Sequence, residues 1–169
     1  MIRLAILISG RGSNMLCLAD AIENYKIDAT IVLVISNKDC DGIALAAARG
    51  LKTKVVKRSN FANRLAHEAA IASSIEDCHA DFVFLAGYMA ILGSVFVNQF
   101  AGKLINIHPS LLPAFKGLNT HQRAIDAGVK THGASIHLVN CALDDGPLIL
   151  QASLAVAETD TAEVPVSYT

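Results

Sequence analysis

An excess of charge of either sign is missing from this chain. Its 14 Lys and Arg stand against 15 Asp and Glu, a net charge of −1, so no global field draws it to nucleic acid or to an anionic membrane. Any anion site has to be local. Paired cysteines are missing as well: Cys17, Cys40, Cys78 and Cys141 lie far apart, with no C-x-x-C pair and no zinc-type spacing, which predicts reduced, mostly buried thiols. The opening "MIRLAILISGRGSN" carries a charge and a short apolar run but no cleavage site, so it reads as a first strand and the protein as cytoplasmic. Charge is absent altogether from Phe82 to Gly102, a length that resembles a membrane span. Gly87, Gly93, Ser94, Asn98, Gln99 and Gly102 interrupt it, and strand, loop and helix are expected instead. Internal repeats, linkers and low-complexity tracts are also absent.

What is present is apolar. Hydrophobic residues make up 53% of the 169 and charged residues 17%, the balance of a sheet covered on both faces within one domain. Apolar runs alternate with helix-like stretches: "RLAILI", then 13–25; "TIVLVI", then 42–50; "KTKVV", then 60–77; "DFVFLA", then 91–100; "KLINI". That alternation predicts βαβ units and an α/β fold, with a Rossmann-like, doubly wound, mostly parallel sheet flanked by helices. After His108 the pattern changes to a loop "PSLLPAFKGLNT", a short helix "HQRAIDAG", and two strands, "GASIHLVN" and "PLILQASLAV", joined through "CALDDG". Ligands of open α/β sheets bind beyond the carboxyl ends of the strands. The loops "SGRGSN", "GYM", "HPSLLP" and "ALDDG" are therefore expected to carry the site.

"ISGRGSN" follows the first strand and opens the first helix. Its glycines let backbone approach an anion, and Ser13, Asn14 and the amides at the helix start can donate to phosphate oxygens; a purely structural turn is the competing explanation. Met15 occupies the third-glycine position of G-x-G-x-x-G and no Gly-Lys-Ser/Thr is present, so one phosphate monoester is the simpler ligand than a nucleotide.

In "INIHPSLLP" the period of two points Asn106 and His108 to the same side of a strand's end. Capping and turn roles are the commoner explanation of polar strand ends, but an amide and an imidazole sharing one face suit oxyanion stabilisation and proton transfer and shift the weight to that reading. An imidazole needs a carboxylate beside it to hold its proton near neutrality. Asp144 and Asp145 in "ALDDGP" are candidates, an Asp-Gly turn being the other explanation, and spacing alone does not choose between them. His132 and His137, five apart, cannot chelate together from a strand, and no metal is expected. His121 reads as a surface histidine and His137 as an interior, hydrogen-bonded one; His67 and His79 belong to no constellation.

Several of these motifs occur in one order. "ISGRGSN", "LAGYM", "NIHPSLLPAFKGLNTHQRAIDAG", "THGASIHLV" and "LDDGPLILQ" together resemble the phosphoribosylglycinamide formyltransferase family, folate-dependent enzymes of purine synthesis. The likeness runs from about Arg3 to about Asp160. The resemblance implies a catalytic trio of Asn106, His108 and Asp144 and phosphate binding by Gly12, Ser13 and Asn14; the interior His137, read from its own position, is placed behind the trio. It implies 10-formyltetrahydrofolate as co-substrate, with the pterin in an apolar pocket near Leu85, Met89, Ile91, Leu92, Val97, Leu104 and Val139. Backbone groups around Ala90 and Leu92 and the loop Asn140, Cys141 to Asp144 would contact it. It also implies a cis Leu112–Pro113 bond, small-molecule substrates (5-phosphoribosylglycinamide and the formyl folate), no nucleic acid or membrane partner, and a monomer or homodimer.

Two departures from the family matter. Position 90 is Ala where the family often carries a basic residue. "DTAEVPVSYT" ends the chain where the family continues into a C-terminal helix, and Pro165 opposes a helix interior. The chain is thus expected to be a single formyltransferase domain over 1–169, truncated at its C-terminus and lacking an acidic residue used near the ribose and amine. Two alternatives follow: a formyltetrahydrofolate deformylase-like hydrolase, which would usually show a second histidine where Pro109 stands, and a catalytically impaired folate- or phosphate-binding remnant. Methionyl-transfer-RNA formyltransferases share the N-x-H-x-S frame but would lack the phosphate loop and carry a second, basic domain.

Overall fold

The structure, a computed structural model, describes residues 1–157 and 159–162. Pro165 and the expected break in a terminal helix lie outside the described residues. The chain divides into two compact units, Met1–Asn106 and Ile107–Thr169.

The first unit alternates strand and helix as the apolar periodicity predicts. Its elements are β1 (Ile2–Ile8), α1 (Ser13–Asn24), β2 (Ala29–Ser36), α2 (Asp41–Ala48), β3 (Thr53–Val55), α3 (Arg64–Asp77), β4 (Phe82–Leu85), α4 (Ser94–Gln99) and β5 (Leu104–His108), whose last two residues begin the second unit. These strands line up as β3-β2-β1-β4-β5, and every adjacent pair is parallel. The last five residues of β1 and the last four of β2 are all buried. Burial on both faces is why their sequences are continuous apolar runs rather than alternating ones.

Strand order steps one way from β1 to β3, and α3 then carries the chain back to β4 on β1's other side. Right-handed crossovers put helices of opposite steps on opposite faces, and α1 accordingly packs on α2, and α3 on α4. The doubly wound expectation is met. The switch point lies between β1 and β4, where an open sheet of this kind leaves a crevice. The charge-free stretch from Phe82 to Gly102 resolves into β4, a loop and α4. No helix of the described residues is long and apolar enough to cross a membrane.

Helix α3 starts later than the periodicity predicts. Residues Arg58–Asn60 form a 3₁₀ turn, and Asn63 caps the helix by accepting from the Ala66 amide at 2.9 Å, the role that short amide side chains serve best. Its inner face buries His67 and Glu68, each of them partnered. The His67 ring bonds the Val56 carbonyl at 2.7 Å, and the Glu68 carboxylate accepts from the Gly93 amide at 2.9 Å.

The second unit holds a long loop with a cis Leu112–Pro113 bond, as the resemblance implied, helix α5 (Thr120–Asp126), and strands β6 (Thr131–Leu138) and β7 (Leu148–Ala155). The two strands pair antiparallel, with Ala134 opposite Ala152. The thiols need a correction: all four are free, but only Cys78 is buried, while Cys17 and Cys141 are exposed and Cys40 lies between. Cys17 falls on the outer side of α1 and Cys141 in a surface loop, positions that residue type alone does not reveal.

Gly12 is held by packing as well as by backbone. It adopts φ +76°, and a Cβ there would lie 2.9 Å from the Gly42 Cα. The glycine turn thus seats the start of α1 against the start of α2. We expect Gly12→Ala to lower stability by about 1–3 kcal/mol. The urea midpoint checks this, falling with an unchanged denaturant slope.

Candidate active site

At the carboxyl edge of the first unit one hydroxyl ties three loops together. Ser9, only 2% exposed, donates to the Asn37 side-chain oxygen at 2.8 Å and accepts from the Met89 amide at 2.9 Å. The chain segments after β1, β2 and β4 are thereby held in register beside the switch point. Gly12 is buried and precedes α1 in a left-handed conformation; Ser13 and Asn14 are exposed. The helix has no side-chain cap and no acid in its first turn, so neither of these usual devices offsets its opening amides and positive dipole end. Asn106 sits half-buried on β5, two residues before His108.

In the second unit three of the sequence-predicted residues cluster. His108, 5% exposed, brings Nδ1 to 3.5 Å from Asp144 Oδ2, and His137 brings Nε2 to 3.9 Å from Asp144 Oδ1. Asp144 Oδ2, the oxygen facing His108, also accepts from the Gly117 amide at 2.8 Å. Asp144 itself adopts φ +46°, a left-handed conformation sparsely used by residues with a side chain. Asp145 points elsewhere: it is exposed and paired with Lys116, whose hydrogen bond, and secondarily whose charge, hold its carboxyl below the usual range. The two adjacent acids, indistinguishable by spacing, thus have separate surroundings.

The loop between β5 and α5 supplies backbone to this cluster, and here sequence reasoning missed its contributors. The His108 Nε2 lies 3.1 Å from the Phe115 carbonyl, and Gly117 provides the amide on Asp144. Ser135 organises the same loop, donating to the Ser110 carbonyl at 2.6 Å and accepting from the Leu112 amide at 3.0 Å. Phe115 packs edge-on against His132 and beneath the Arg123 guanidinium. His121 is not a surface residue: it is half-buried, and its Nδ1 lies 3.0 Å from His132 Nε2. Helix α5 turns it inward toward β6, which a lone histidine in a short polar helix does not signal.

The apolar positions named from sequence divide. Leu85, Val97 and Leu104 are buried, Leu92 and Val139 half-buried, and Ala90, Asn140 and Cys141 exposed. Met89 and Ile91 are 73% and 72% exposed. Ala90, Ile91 and Leu92 line a cleft of about 150 Å³ in the first unit whose other walls are polar, among them Arg58, Arg64, Glu68 and Tyr88. Burial, and then the charge of Glu68, push the Tyr88 hydroxyl up to about 12. Among the described residues no group of three or more His, Cys, Asp or Glu is placed to hold a metal ion.

Residues 2–165 match the model of the formyl transferase family. The chain belongs to that family. A formyl transferase relative, the phosphoribosylglycinamide formyltransferase of Haemophilus influenzae, is 44% identical over 96% of this chain and 77% of its own. The crystal structure of glycinamide ribonucleotide transformylase 1 from Symbiobacterium toebii matches with a TM-score of 0.93 at 38% identity, over 96% of this chain and 77% of that one. A formyltetrahydrofolate deformylase from Burkholderia mallei is more distant, with a TM-score of 0.85 at 31% identity over 96% of this chain and 57% of its own. The fold class and the formyl transferase membership expected from the motifs both hold.

The paired imidazoles make this formyl transferase sensitive to acid. Their hydrogen bond needs a lone pair on one ring. Burial lowers the pKa of both; at His132 the charges of His121 and His108 lower it further, against the pull of the Pro109 carbonyl. The unfolded chain then binds more protons than the folded one at pH values below ~6.5. Stability is therefore held above ~6.5 and lost as the pH falls from there toward the lowered folded-state values. Urea unfolding at about pH 7.5 and about pH 5.5 should show a lower midpoint in acid, and a His121→Asn, His132→Gln variant a smaller difference; an equal difference in both proteins contradicts the assignment.

Proposed function

We propose that the protein transfers the formyl group of 10-formyltetrahydrofolate to the amine of 5-phosphoribosylglycinamide, a step of purine biosynthesis, as a single formyltransferase domain acting in the cytoplasm. Membership in the family, and relatives named for this reaction across nearly the whole chain, support the substrates. The observation that carries the chemistry is the buried imidazole–carboxylate pair, His108 and Asp144 at 3.5 Å.

In this reading Gly12, Ser13 and Asn14 take the substrate phosphate on the opening amides of α1. The substrate amine attacks the formyl carbon, forming a new C–N bond and moving the carbonyl electrons onto oxygen. The Asn106 amide and the His108 ring donate to that oxyanion, a charge absent from the ground state, so their contribution falls mainly on the rate. Collapse of the tetrahedral carbon breaks its bond to N10 of the folate, and the proton lost by the amine ends on N10. Asp144 fixes the ring of His108, and Gly117 and His137 fix Asp144. The Phe115 carbonyl, now 3.1 Å from Nε2, must share that proton or withdraw for the ring to reach substrate. Ala90, Leu92 and the loop Asn140 to Asp144 offer backbone groups to the folate, with Leu85, Met89, Ile91, Val97, Leu104 and Val139 as its apolar surroundings.

A deformylase reading rests on the likeness to the Burkholderia mallei protein, and Pro109 in place of a second histidine weighs against it. Folate turnover measured with and without the amine substrate separates the two, since turnover indifferent to the amine means hydrolysis. Tight binding of both substrates with no turnover would mean an impaired remnant. For the transferase, Asn106→Ala should lower kcat by roughly 10²–10³, and an unchanged rate rejects its role. Asp144→Asn should also slow the reaction severely, while Asp145→Asn should leave kcat within about twofold, as expected for an exposed ion pair. Steady-state rates for the two variants decide which acid serves His108.

A further inference from the structure

We propose that Arg123 is a positioning residue for formyl transfer, acting on Asp144 through a single peptide unit held between the two. The inference rests on the transferase reading above. Asp144 Oδ2 accepts from the Gly117 amide at 2.8 Å. The carbonyl of that same peptide belongs to Lys116, and it accepts from Arg123 Nη1 at 2.6 Å. The Lys116–Gly117 peptide is trans, so its N–H and C=O point in opposite directions. A cation grips one end of the peptide and a carboxylate the other.

Helix α5 places the guanidinium where the loop wraps it. The side chain lies over the Phe115 ring, 5.6 Å from its centroid, and Nη1 also reaches the Leu118 carbonyl at 3.4 Å. Backbone groups along 115–118 therefore alternate in direction. The Phe115 carbonyl and the Gly117 amide face the His108–Asp144 pair, while the Lys116 and Leu118 carbonyls face Arg123. Gly117 needs such a grip: it stands at φ +83° with open space where a Cβ would be, so no side chain packs there to fix the peptide's orientation. Charge adds to geometry. Arg123 pairs with no carboxylate among the described residues, and the nearby Asp126 accepts from Gln122 instead. A donor that polarises a carbonyl strengthens the N–H of the same peptide, and here that N–H is the one on Asp144. A planar guanidinium can lie on a ring and serve carbonyls at its edge, which an ammonium does less well. A cation in the last turn of α5 also suits the helix dipole, but that role changes stability and leaves the Gly117 amide alone.

Steady-state kinetics and the amide-proton NMR signal of Gly117 in the substrate-free protein test this together. Arg123→Ala should lower kcat about fivefold, the effect of one exposed charge-assisted contact, while KM for each substrate stays within about twofold. The Gly117 amide proton should move upfield as its bond to Asp144 weakens. Arg123→Lys, which keeps the charge and a donor but not the flat stack on Phe115, should recover part of both. An unchanged kcat in folded Arg123→Ala protein, or a Gly117 signal that stays in place, overturns the proposal. So does a loss of activity accounted for by unfolding at the assay temperature, measured by urea titration, since that is the helix-dipole role alone. A wild-type protein that hydrolyses formyl folate without transferring the group removes the transferase reading alone; the Gly117 signal, read without substrate, then still decides whether Arg123 holds the peptide on Asp144.

Discussion

A carboxylate removed from water has to be surrounded by donors, and Asp144 is the group in the second unit on which the rest is arranged. An unpaired buried charge costs several kcal/mol, so its neighbours are fixed by necessity. The Gly117 amide donates to it at 2.8 Å, and the rings of His108 and His137 stand 3.5 and 3.9 Å from its two oxygens. The loop after β5 has to travel out and return for Gly117 to arrive, and Ser110 and Ser135 bond its turns from inside. Orientation of His108 is thus the outcome of satisfying a neighbouring charge. The ring has a neighbour at each nitrogen, Asp144 at Nδ1 and the Phe115 carbonyl at Nε2, so its plane is set by groups from two different loops.

The first unit solves a different problem with the same economy. Parallel strands buried on both faces end at one edge, and the loops leaving that edge would be slack without cross-links. Ser9 bridges two of them to the loop after β1, Gly12 lets α1 begin against α2, and Glu68 reaches from α3 to the Gly93 amide at the start of α4. Each link uses a small or polar residue where the apolar pattern stops. Stability and the placement of these loops therefore come from the same contacts, so variants at Ser9, Gly12 or Glu68 would disturb both together.

Much of the fold is legible without coordinates. Apolar runs and helical stretches alternate along the first 108 residues in the observed order, because burial on both faces of a parallel sheet writes itself into the composition of each strand. Element starts are less legible, as at α3, where Asn63 and a 3₁₀ turn override the periodicity. Residue type alone also misplaces the thiols and His121, since exposure depends on which side of an element faces the core.

The sequence by itself determined the strand–helix alternation, the glycine-rich turn into the first helix, the placement of Asn106 and His108 two apart on one strand, and the family those motifs resemble. These are local properties, set by the period of two along a strand and by the chemistry of adjacent residues. Only the tertiary structure decided that Asp144 rather than Asp145 turns inward, that Phe115 and Gly117 supply backbone to the pair, and that His121 meets His132. Those facts depend on the path of loops whose ends are joined by hydrogen bonds between distant residues. No pattern along the chain encodes such a path, because backbone donors and acceptors are the same at every position and only folding selects which of them meet.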